Sequence, residues 1–271
     1  MKVTHPVWAV LITVVATFAQ VIAGVAPVML LLDPDSVLYR PLGMIAITLA
    51  SLGLVYLIRR FLGRQSWEGV GLTSSWRAVP QLLLGTVAGA GAVSAASALS
   101  VALGVTVWES EETVAAQLPY LPLAIAFALL SQAFPEELLW RGHLFDTLSG
   151  RLSPQTVLIV VSVGFGALHI ISQSAADTPV ERVLYVLQAI ALGFACAAAR
   201  ARTNALWMAV GVHLGLHLAN LLLPTKDIRY DAQLIILTGT LSLTGLFILF
   251  SRRRNGTTAA GSAPGEIKVD G

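Results

Sequence analysis

Two adjacent carboxylates and an arginine occur in Pro135-Glu136-Glu137-Leu138-Leu139-Trp140-Arg141, inside a stretch otherwise apolar enough to cross a bilayer. Ionisable groups are costly there and usually face a wet cavity or a partner, so each one is a functional-site hypothesis. Neighbours on an α-helix point about 100° apart, so the two glutamates cannot share one environment. Glu137 and Arg141 stand at i and i+4 and can pair, which reads first as a structural contact. Glu136 is left needing another partner.

Three histidines supply candidates. His169 ends Phe165-Gly166-Ala167-Leu168-His169, with Phe165 one turn earlier. His213 and His217 are one turn apart, and Asn220 continues their face, so that helix carries a polar stripe. Depths at about 1.5 Å per residue agree: Glu136 lies roughly 18 Å from Leu148, His169 roughly 22 Å from Pro154, and His213 roughly 15 Å from Thr203. Ionisable groups from separate helices at one level are hard to explain as packing, since each adds a desolvation cost. A carboxylate among apolar groups is a stronger base than one in water, and a nearby histidine can share the proton, which is the chemistry of water activation. Gln132, one turn before Glu136, lines the same cavity or packs a helix; His5 and His143 are expected to be solvated or interfacial. Cys196, the single cysteine, is expected to be a small buried side chain outside this group. With no Gly-x-Ser-x-Gly motif either, covalent catalysis is the weaker reading.

These residues need helices to carry them. The chain has 271 residues, 56% hydrophobic and 12% charged, an excess that fits a polytopic membrane protein and excludes a soluble domain. The net charge of +2 does not imply nucleic acid, because the basic residues cluster beside hydrophobic segments, where they set topology. The expected fold is an all-α bundle of about eight transmembrane helices, near 7–32, 41–62, 79–104, 119–147, 154–173, 182–200, 203–223 and 231–250. The first is read as a retained helix and not a signal peptide. Gly85, Gly89 and Gly91 allow close helix approach in the third span, and the loop with Trp67 and Trp76 is expected to lie on the membrane surface. Arg59, Arg60, Arg64, Arg77, Arg151, Arg200, Arg202 and Arg252 to Arg254 all fall on one side of eight spans, which places both termini in the cytoplasm. Residues 251–271 read as a disordered tail.

The order Glu-Glu-x-x-x-Arg, Phe-x-x-x-His and a later His-x-x-x-polar helix resembles the CPBP intramembrane protease family, which contains the CAAX prenyl endopeptidases and many bacterial proteins linked to bacteriocin immunity. The resemblance covers roughly 119–223, leaving 1–118 as N-terminal helices and 224–250 as the last span. It implies an endopeptidase of a bacterial plasma membrane, acting on a membrane-anchored or lipidated peptide. Glu136 and His169 would activate water, Glu137 and Arg141 would hold the architecture, and His213 would help stabilise the oxyanion. The family's usual Asn or Asp four residues later is His217 here. An imidazole can replace the amide as donor, but His213 and His217 also make a chelating pair, so a divalent metal such as zinc on Glu136, His169, His213 and His217 stays open. The competing classes are a non-catalytic immunity or scaffold protein and a proton-coupled transporter; against the latter, no inverted repeat is present.

Overall fold

The computed structural model describes residues 5–226 and 228–251; Lys2 and the tail from Arg252 onward lie outside the described residues. Among the described residues, eight helices form the bundle. We label them α1 Pro6–Leu31, α2 Tyr39–Gly63, α3 Ala78–Ala102, α4 Glu111–Ser149, α5 Pro154–Ile171, α6 Pro179–Thr203, α7 Trp207–Leu222 and α8 Tyr230–Phe250. Seven are long and apolar enough to cross a membrane, while α7, with 16 residues, is shorter than the span expected there. It is instead mostly buried by its neighbours.

The helix ends follow from their capping residues. The Ser110 and Ser153 side chains accept the Thr113 and Thr156 backbone N–H groups, and Thr178 forms a capping box with Glu181 before α6. Ser110 with Glu111 and Glu112 starts α4 eight residues before the expected 119, because carboxylates in a first turn complement the helix dipole. Pro119 and Pro122 are absorbed by a 3-10 turn at Leu118–Tyr120 and by the first turn that follows it.

Loop contacts place the helix ends. The two-residue strands β1 Val107–Trp108 and β2 Thr225–Lys226 pair antiparallel, joining the α3–α4 and α7–α8 connections at one end. Lys226 pairs with Glu109 across this ribbon at 3.0 Å. At the opposite end, Arg59 pairs with Asp146 at 2.7 Å and Arg200 donates to the Gly69 carbonyl at 2.9 Å. The arginine-bearing loops thus gather on one face, and α7 runs between the two ends despite its length. Trp76 is 78% exposed there, but Trp67 packs partly into the core and Val70 is fully buried, so the loop expected on the surface is in part folded inward.

Helix α7 is seated by glycines. A Cβ on Gly85 or Gly89 of α3 would overlap the backbone of Met208 or Val212, and one on Gly211 or Gly215 of α7 would overlap the backbone at Leu82 or Thr86. The two backbones therefore touch on either side of His213. Gly91, expected to share this role, meets nothing within 4 Å because it faces away from α7.

Helix α4 is not uniform. Two π-helical turns, Ala128–Ala133 and Leu138–Leu144, flank the α-helical turn Phe134–Glu137. Pro135 has no N–H for the carbonyl one turn back, which favours such widening. Neighbouring helices satisfy the carbonyls nearby: Thr48 donates to Leu130 and Ser51 to Pro135 from α2, and Arg200 Nε donates to Arg141 from α6.

Candidate active site

The α-helical turn between the two π turns carries both glutamates. Glu137 is completely buried, as is Arg141; Arg141 Nη1 donates to Glu137 Oε1 at 3.0 Å and Nη2 to the Gly193 carbonyl at 2.7 Å. The guanidinium also stacks 4.5 Å over the Phe165 ring. His213 Nδ1 lies 3.0 Å from the same Glu137 oxygen. A carboxylate accepts, so Nδ1 carries the hydrogen and Nε2 is free. That Nε2 faces Glu136 Oε2 at 4.0 Å. Glu137 thus has a second partner from α7 in addition to the one within its own helix.

Glu136 is half-buried and, with His169, lines a cavity of about 260 Å³ walled by Phe18, Trp140 and Phe165. His169 sits in the 3-10 turn that ends α5, and its Nδ1 bonds the Phe165 carbonyl at 3.1 Å. A carbonyl only accepts, so the proton sits on Nδ1 and Nε2 keeps its lone pair. His169 also borders a second cavity, about 300 Å³ and rich in polar groups, with His213, His217 and Asn220. The His213 and His217 rings stack at 5.2 Å, and His217 Nε2 is buried with no partner among the described residues. The polar stripe expected on this helix is therefore one wall of a cavity. Glu136, His169 and His213 come together; His217 joins them through its stack on His213.

Several placements differ from expectation. Gln132 lines a further cavity with His217, one whose lining does not include Glu136. His143 is 3% exposed, not solvated, because the loop after α2 folds over that end of α4 and brings Val70 against Gly142. His5, by contrast, is exposed as expected and caps α1. Cys196, expected to lie apart, is buried beside the Glu137 carboxylate.

The ligand set expected for zinc does not fit. Among the described residues no three His, Cys, Asp or Glu side chains are spaced to hold a metal ion. The His213 and His217 rings lie nearly parallel at 19°, not turned toward a common point.

A helical membrane bundle with a carboxylate and a histidine on one cavity fits the class of intramembrane hydrolases. Residues 118–219 match the family described as Type II CAAX prenyl endopeptidase Rce1-like. The match covers 102 of the 271 residues and supports the CPBP/CAAX protease family that the motif order implied, a family of intramembrane endopeptidases. No curated protein matches the chain.

Proposed function

We propose that the chain hydrolyses a peptide bond of a membrane-anchored or lipidated peptide with water activated by Glu136 and His169. The observation that carries this reading is their shared cavity between α1, α4 and α5, with the His169 lone pair left free by the Phe165 carbonyl. Glu136 takes a proton from water as the hydroxide attacks the carbonyl carbon; the same proton is then available to the leaving amine. His169 Nε2 accepts a hydrogen bond from that water and orients it.

Stabilising the oxyanion falls to α7. His213 can donate there only with a second proton on Nε2, and Glu137, 3.0 Å from Nδ1, holds the imidazolium that results. Arg141 fixes Glu137 in turn, so the buried pair orients His213 as well as joining helices. His217, stacked on His213 with a buried Nε2, serves as an additional N–H donor. No step runs through a metal ion. Residues 119–223 form the catalytic core in this reading, the arginine-bearing end faces the cytoplasm, and both termini lie on that side of a bacterial plasma membrane.

The test compares membrane peptides from cells that carry the wild-type chain with those that carry Glu136→Ala or His169→Ala. Cleavage products should disappear while the variants accumulate in the membrane and keep their thermal stability. Products that persist in Glu136→Ala sink the mechanism, and loss of the folded protein in both variants favours a scaffold role for these residues.

A further inference from the structure

A cavity of about 760 Å³ opens between α2, α4 and α7, apart from the two that border His169. Tyr39 and Arg40 lie where α2 begins and Tyr120 in the 3-10 turn of α4, and Gln132 and His217 lie deeper. The wall between them is apolar, formed by Leu123, Phe127 and Leu221 among others. Arg40 is exposed, and no described residue pairs with it.

The two ends ask for different chemistry. His217 Nε2 is buried without a partner, and an acyl chain leaves it so, whereas a peptide backbone offers both a donor and an acceptor. Arg40 complements a negative charge. Tyr120 and Gln132 are twelve residues apart, about 18 Å at 1.5 Å per residue, which an extended chain crosses in about five residues. The inner end adjoins the site, because His217 stacks on His213 and His213 Nε2 faces Glu136.

We propose that this cavity binds an extended stretch of about five residues of the peptide substrate, with its backbone at Gln132 and His217 and a carboxylate at Arg40. The proposal rests on the endopeptidase reading and names the substrate feature that this protease recognises. Selection then depends on a negative charge about five residues from the scissile bond, in a sequence otherwise apolar.

The test uses the full chain carrying Glu136→Gln, which leaves peptides intact, in nanodiscs of neutral lipid. Binding of labelled apolar peptides that end in a carboxylate, an amide or a lysine at the fifth position is read by fluorescence anisotropy. The carboxylate peptide should bind about tenfold more tightly than the amide. Arg40→Gln should erase the difference, Arg40→Lys should keep it, and Arg40→Glu should favour the lysine peptide. Equal binding of the carboxylate and amide peptides with Arg40 present overturns the proposal, as does a preference that survives in Arg40→Gln. Phosphatidylglycerol that displaces every peptide alike and loses this ability in Arg40→Gln makes the site a lipid headgroup site and also overturns it. Hydrolysis by the unmodified chain is measured separately. Charge-dependent binding without hydrolysis sinks the endopeptidase reading and leaves the cavity assignment standing; hydrolysis without charge preference does the reverse.

Discussion

Arg141→Ala is the most informative perturbation of the buried network. Both side chains of the Arg141–Glu137 pair are 0% exposed, and breaking such a pair costs about 3 to 5 kcal/mol because one charge is left uncompensated. Two features modify this range. The Gly193 carbonyl loses its donor, which adds about 1 to 3 kcal/mol. His213 Nδ1 still donates to Glu137, which offsets part of the loss, so a net of about 4 kcal/mol is expected. For a chain of this size that corresponds to a fall in Tm of about 8 to 16 °C. The assay is thermal unfolding in detergent, followed by tryptophan fluorescence. Pairing Arg141→Met with Glu137→Gln should recover at least half of the loss, because the stranded charge is gone. Activity should stay low in the double variant, since a neutral amide holds the His213 imidazolium poorly. A Tm within about 1 °C of wild type in Arg141→Ala would refute the burial of the pair.

Three further outcomes are expected. Gly211→Val drives a side chain into the α3 backbone at Leu82 and should lower Tm by several degrees and abolish hydrolysis, whereas Gly91→Val, with open space around it, should leave both within error. His217→Asn keeps an amide donor at the stacked position and should retain activity; stoichiometric zinc in the wild type, lost together with activity in this variant, would reverse the metal-free account. The Ser110 N–H and Lys226 hold the Glu109 carboxyl below its ordinary value. A depressed carboxyl stabilises the fold above its unfolded pKa and loses that contribution as pH falls through the folded one. Protection of ribbon amides against hydrogen exchange should therefore drop in acid, and Lys226→Gln should shrink that drop.

The membrane class and the helix count were legible because apolar runs of about twenty residues have one main explanation, and the charges inside them stood out as candidates because such charges have few. The Glu137–Arg141 contact was legible for the same reason: it depends only on helical spacing. What stayed hidden depends on partners far away in sequence. His213 reaches Glu137 because Gly85 and Gly89 meet Gly211 and Gly215, and the pattern of glycines in one span does not say which face meets another helix; Gly91 misled for that reason. The π turns in α4 were hidden because their freed carbonyls are satisfied by Thr48, Ser51 and Arg200, and no local rule points to those donors. His143 was misplaced because depth was counted from the helix end, with no allowance for a loop folded over it.

The shortness of α7 bears on the lipid around the protein. Its 16 residues rise about 24 Å, less than the hydrocarbon core of about 30 Å. Its neighbours are longer, so α7 matches a thin bilayer better than a thick one. Bilayer thickness is therefore expected to act on hydrolysis through the seating of the helix that carries His213 and His217: activity in vesicles should fall as the acyl chains lengthen, with every catalytic group unchanged.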